Sequence, residues 1–260
     1  MSKLQIQYSK ELAKALGKIA VYLPGEHVEV GDIITFPFGK SIFGKTKPIG
    51  SFKKITSLDK IGVHYEKPKF SNNPDTYHFT SKKSISFDVN LDTNMALGGN
   101  GLPESDNLID VQFSSEGAIY FLGIDCDKKE LSDLISLENE INVKGKQMLW
   151  EDTYLVTSVT IAKKALIMQS RTKSSSLVLE GNVKGVKSGA VDASGGAKFS
   201  IKRQRGDVFI KNWSDDVTVF MDVMKFEKEV FSSESYRSTE DLETFKIKMN
   251  KVSANELLTD

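Results

Sequence analysis

Gly39-Lys40-Ser41-Ile42-Phe43-Gly44-Lys45-Thr46 satisfies the phosphate-loop pattern G-x-x-x-x-G-K-[ST] at every defined position. In that motif the loop amides and a helix N-terminus cradle phosphates, the lysine reaches the outer phosphates and the hydroxyl binds magnesium. Asp125 follows the apolar run Ile119–Ile124, as a magnesium-binding aspartate would. The chemistry needs a strand before the loop and a helix directly after it. Pro48 and Gly50 spoil the first turns of any such helix. The chain also lacks alternating strand and helix units. The segment therefore reads as a basic loop, with nucleotide binding kept as the least favoured reading.

No other motif assembles a reactive site. His27, His64 and His78 are scattered, with no metal-ligand spacing between them. Cys126 sits between Asp125 and Asp127, negative neighbours that raise a thiol pKa and quench its reactivity. G-x-S-x-G and HExxH are both absent from the sequence, and the acid pair Glu151-Asp152 reads as surface charge. The expectation is a non-enzyme with no cofactor and no metal.

The 260 residues suit one large domain or two small ones, and 39% hydrophobic content marks a globular chain. A single cysteine excludes a disulfide framework and suits a reducing compartment. Met1-Ser2-Lys3-Leu4-Gln5-Ile6 holds no apolar core of a signal peptide, and no apolar run reaches the about 18 residues of a membrane helix. A soluble, cytoplasmic protein is expected. Its net charge of zero is a sum of blocks. Residues 38–70 carry eight Lys/Arg against two acids, residues 84–160 four against fourteen, and residues 161–211 eleven against three. Basic blocks suit an anionic partner, phospholipid or nucleic acid. Aromatic residues are thin in the last block, so stacking on single-stranded nucleic acid is poorly served, whereas lipid headgroups need no stacking.

The elements that must position these residues follow from periodicity. Ser9 to Leu16 predicts a helix closed by Gly17. Short strands are predicted at Ile19–Leu23, Ile33–Phe36 and Lys53–Thr56. Ile85, Phe87, Val89 and Leu91 alternate with polar residues from Ser84 to Asp92, and Ile109, Val111 and Phe113 repeat the pattern, predicting a long antiparallel hairpin. Asp127 to Asn142 predicts a helix capped by Asp127, with Leu131, Leu134, Ile135 and Ile141 on one face. Further strands are predicted at 154–160, 165–169, 176–180, 198–202, 208–210 and 217–223, with a glycine-rich loop over 181–196. A polar linker from Ser232 leads to a tail helix with Leu242, Phe245 and Met249 on one side. The fold class is α+β: a twisted antiparallel sheet flanked by short helices, in one domain (1–231) with a C-terminal tail (232–260).

Trp150-Glu151-Asp152-Thr153-Tyr154-Leu155-Val156-Thr157-Ser158-Val159, followed by Ala165-Leu166-Ile167-Met168 and a basic, glycine-rich stretch, resembles the V-V-T-E-V strand of bacterial gasdermins. Val156-Thr157 match that motif, and Ser158 replaces its Glu. An early Leu23-Pro24 turn and the order of elements are similar as well. The resemblance implies a pore-former that is latent until a protease releases its tail. It then oligomerises with itself on anionic lipid at the inner membrane, in antiphage defence. The membrane-inserting residues would be Ile85, Phe87, Val89, Leu91, Ile109, Val111, Phe113, Leu166, Ile167, Leu177 and Leu179. The lipid contacts would be Lys163, Lys164, Arg171, Lys173, Lys184, Lys187, Lys198, Lys202, Arg203 and Arg205. The tail latch would use Leu242, Phe245 and Met249, and no nucleic acid is expected. Ser2-Lys3-Leu4 stands where many bacterial members carry a cysteine for acylation, so lipid priming is not implied. A non-enzymatic module binding protein or nucleic acid is the alternative.

Overall fold

The computed structural model describes residues 3–21, 27–36, 38–41, 44–48, 52–81, 84–90, 107–144, 152–181, 199–213, 216–230 and 245–258. The chain opens with helix α1 (Lys3–Leu16) and strands β1 (Ile19–Ala20), β2 (Asp32–Thr35), β3 (Phe38–Ser41), β4 (Gly44–Pro48), β5 (Lys53–Ser57), β6 (Asp75–Thr80), β7 (Ile85–Asn90), β8 (Asn107–Phe113) and β9 (Ile119–Glu130). Helix α2 (Leu134–Lys144) follows, then β10 (Tyr154–Ser170), β11 (Ser175–Gly181), β12 (Phe199–Arg205), β13 (Val208–Trp213), β14 (Val217–Val230), β15 (Phe245–Val252) and α3 (Ala254–Leu258). The fold is α+β, and every strand pair among the described residues is antiparallel.

A nine-stranded sheet is built around β10, which takes β2 and β9 along one edge and β14 and β13 along the other. β6 extends it beyond β9, and β15 beyond β14. The shorter sheet runs β12-β11-β8-β7. β9 and β10 are sandwiched. Ile119, Phe121, Ala165 and Ile167 face α1, where they meet Tyr8 and Leu12. Tyr120, Leu122, Leu166 and Met168 point the other way, onto Val111, Phe113, Leu177 and Leu179 of the small sheet. Burial on both faces explains why Ile119–Ile124 reads as an unbroken apolar run.

α1 ends at Gly17, whose φ of 66° is open to glycine at little cost, and whose amide donates to the Ala13 carbonyl at 2.9 Å. Close packing against the helix also fixes Gly117, where a Cβ would stand 2.0 Å from Gln7 Oε1. Buried Asp32 is answered by Lys54 at 2.7 Å and by the Glu29 amide at 2.9 Å.

Three sequence expectations are corrected. Asp127 does not cap a helix: β9 continues to Glu130, and Asp133 caps α2 by accepting from the Ser136 amide at 2.9 Å. Asp127 accepts instead from Ser71 Oγ at 2.5 Å and the Asn72 amide at 3.2 Å. Ile135 is not on the buried face of α2, which is formed by Leu137 and Ile141; Ile135 is 80% exposed. Finally, Phe245 and Met249 belong to a strand rather than a helix, because Phe245, Ile247 and Met249 alternate with Lys246, Lys248 and Asn250. Among the described residues of that region, the helix is short α3, where Ser253 and Glu256 cap one another at 2.8 and 3.2 Å. Leu242 lies outside the described residues.

Candidate functional site

The phosphate-loop pattern folds as a hairpin. Gly39 to Ser41 lie on β3 and Gly44 to Thr46 on β4, with Lys40 opposite Lys45 and Ser41 opposite Gly44. A strand stands where the phosphate chemistry requires a helix N-terminus, so this segment cannot cradle a nucleotide in that manner. Asp125 sits at φ 50° where β9 bulges against β6, 3.9 Å from Lys163. Cys126 is buried, and burial first, then Asp75 and Asp125, pushes its thiol up to about 12. His27 pairs with Glu29 at 3.2 Å, and His78 bonds Thr80 at 3.1 Å. Among the described residues no group of three or more His, Cys, Asp or Glu is placed to hold a metal.

The alternating segments do come together. β7 and β8 form one hairpin, β11 and β12 a second, and β8 pairs with β11 over seven residue pairs from Ser175↔Phe113 to Gly181↔Asn107. Val111, Phe113, Leu177 and Leu179 are buried on one face, with Ile85 packed beside them. Phe87, Val89 and Ile109 occupy the alternating positions of β7 and β8. Leu166 meets this row from β10, whereas Ile167 faces α1 on the opposite side. Leu91 lies outside the described residues.

Of the basic residues, Arg171 and Lys173 occupy the turn between β10 and β11, and Arg203 and Arg205 lie on β12 beside it; all four are exposed. The Arg171 amide donates to the Asp207 carbonyl at 2.8 Å, tying this turn to the β12–β13 turn. The Arg171 guanidinium lies over the Phe209 ring at 5.6 Å. Lys163 and Lys164 stand apart, roughly 23 Å back along β10 by strand rise. Lys202 is on β12, while Lys184, Lys187 and Lys198 lie outside the described residues.

The C-terminal segment is woven in at two places. β15 pairs with β14 from Val223↔Val252 to Val230↔Phe245, burying Ile247 and Met249. Its outer edge is closed by α2. Asn142 Oδ1 accepts from the Ile247 amide at 2.7 Å, and Asn142 Nδ2 donates to the Ile247 carbonyl at 2.8 Å. Glu138 Oε2 accepts from the Met249 amide at 3.1 Å. α3 then packs against α1, burying Ala254 and Leu257. The pairing of β15 with β14 and the polar clamp from α2 were not read from the sequence; the alternation from Phe245 to Val252 was the available signal for the strand.

No family model and no curated protein matches the chain. Among solved structures it is similar to the cryo-EM structure of the gasdermin A3 membrane pore, at 8% identity and a TM-score of 0.32, over 94% of this chain and 94% of that one. At that score the similarity decides neither fold nor function. No described helix is long and apolar enough to cross a membrane, which leaves strands untouched as a means of crossing.

Proposed function

We propose that this protein is a non-enzymatic, latent pore-former of the gasdermin kind. Its C-terminal segment holds it inactive, and proteolytic release lets copies assemble on anionic membranes, in cell-killing defence. The observation that carries the reading is the pair of hairpins joined side by side as one four-stranded sheet. From Ile85 to Phe113 and from Ser175 to Arg205, each hairpin holds chain for two strands of the about 9–11 residues that cross a bilayer. In the sequence the alternation of β7 runs on through Leu91, Met95 and Leu97 against Asp92 and Asn94. That of β12 begins earlier, at Val191, Ala193 and Ala197 against Asp192, Ser194 and Lys198. The apolar row now covered by β9 and β10 is the row that would face acyl chains. Insertion then needs the small sheet to lift away, with no exchange of its inward and outward residues.

Departure of β15 uncovers the edge of β14 between Val223 and Val230, a row of backbone groups able to pair with another chain. The basic corner at Arg171, Lys173, Arg203 and Arg205 supplies the attraction to anionic headgroups, about 1 kcal/mol per residue near the surface.

The test is dye release from anionic liposomes, using a specific protease site placed within residues 232–238. Leakage is expected only after cutting. A cut protein that has shed its tail, keeps its circular dichroism and releases no dye would sink the proposal.

A further inference from the structure

One end of the four-stranded sheet carries an open cavity of about 520 Å³, lined mainly by polar side chains, with Ile85 and Phe113 beside them. Register lines up Arg205, Ser176, Gln112 and Ser86 in one row, a residue from each strand. Asp110 lies two residues along β8 and therefore faces the same way. All five line the cavity, with Ser174 at its rim. Among the described residues, Arg205 and Asp110 are its charged lining residues. One Asp110 carboxylate oxygen is shut off from solvent with no hydrogen-bond partner. Among the described residues, neither the Asp110 carboxylate nor the Arg205 guanidinium forms an ion pair or a side-chain hydrogen bond.

The two charges do not neutralise one another because the sheet holds them apart. Two strand spacings and one step of two residues separate their backbones by about 12 Å. The buried Asp110 oxygen is short of a donor, the exposed Arg205 guanidinium is open to an anion, and amide and hydroxyl groups lie between them. A ligand that satisfies both ends must be positive at one end and negative at the other. A guanidinium flanked by hydroxyls suits a phosphate, which takes several donors at once.

We propose that this cavity binds a small zwitterion of the aminoalkyl phosphate class, its ammonium at Asp110 and its phosphate at Arg205. The site does not rest on the pore reading. Two sources share the chemistry: a soluble aminoalkyl phosphate, and the ethanolamine headgroup of a bilayer lipid.

The full chain is titrated calorimetrically with O-phosphoethanolamine, with inorganic phosphate and with ethanolamine. In a second arm it is sedimented with phosphatidylcholine vesicles with and without phosphatidylethanolamine. Saturable binding of O-phosphoethanolamine is expected, at least about tenfold tighter than either fragment. Asp110→Asn and Arg205→Gln should each weaken it by about tenfold or more, with unchanged melting temperature. Retention by the ethanolamine-bearing vesicles, lost in the same variants, identifies the lipid as the source. Binding of the soluble compound alone identifies the free molecule. Absence of binding in both arms overturns the proposal, as does phosphate binding equally well or affinity unmoved by both substitutions. If Asp110→Asn does not fold, Arg205→Gln together with the fragment comparison decides the matter.

Discussion

Asn142 does with one side chain what a neighbouring strand does with its backbone: it answers both the amide and the carbonyl of Ile247. Asn142→Ala strips the edge of both partners at once, and a loss of about 1–3 kcal/mol is expected in the urea unfolding midpoint. Asn142→Asp should cost as well, since a carboxylate can accept from the amide but cannot donate to the carbonyl. His78 gives a second prediction. Partial desolvation beside Tyr120 holds its imidazole below the ordinary range. The unfolded chain therefore takes up the proton first as pH falls. This contribution to stability is full above about pH 6.5 and is lost as pH drops through that value toward the lower folded one. His78→Gln should flatten the slope of stability between pH 7 and 5. Cys126 is testable directly: with its thiol buried and pushed up, a thiol reagent should react only on unfolding, which a colorimetric time course in urea reads out.

At the scale of elements, the interface between the two sheets is the place to intervene. Leu177 is fully buried there, and Leu177→Ala should cost about 2–5 kcal/mol in the folded chain. Gln112 and Ser176 face one another across β8 and β11. A Gln112→Cys/Ser176→Cys pair, oxidised, would tie the hairpins together. The pore reading expects that leakage after cutting survives this bond, because both hairpins move as one sheet. Loss of leakage restored by reductant would show that they must part. Much of this sheet was legible in the sequence, since Ile85 to Leu91 and Ile109 to Phe113 alternate with period two. That β8 would pair with β11 was not, because such pairing joins segments far apart in the chain and leaves no local mark. The tail misled for a different reason. Leu242, Phe245 and Met249 fit a helical stripe by spacing, while Phe245, Ile247 and Met249 fit a strand, and pairing with β14 decides between them. Asp125 was read as a possible metal ligand because it follows an apolar run. Its place in a bulge depends on β6, whose strand was not anticipated.

For the molecule as a whole, the charge blocks resolve into places. The basic corner gathers Arg171, Lys173, Arg203 and Arg205 at one end of the small sheet, with Arg171 3.7 Å from Asp207, while Lys163 stands apart from it, 3.9 Å from Asp125. Binding of the cut protein to anionic vesicles should therefore fall as salt is raised. It should weaken more with Arg171→Ala/Lys173→Ala than with Lys163→Ala, as cosedimentation would show.

The clamp that α2 places on β15 also has a colloidal consequence. A bare edge strand is a template on which the next molecule can add, so its solutions age at a rate that climbs with concentration. Here the template is blank at Ile247 and Met249, and crowding of many copies gains no purchase on that side. Asn142→Ala should turn a solution that stays clear into one that clouds faster the more concentrated it is stored, which light scattering over days would record.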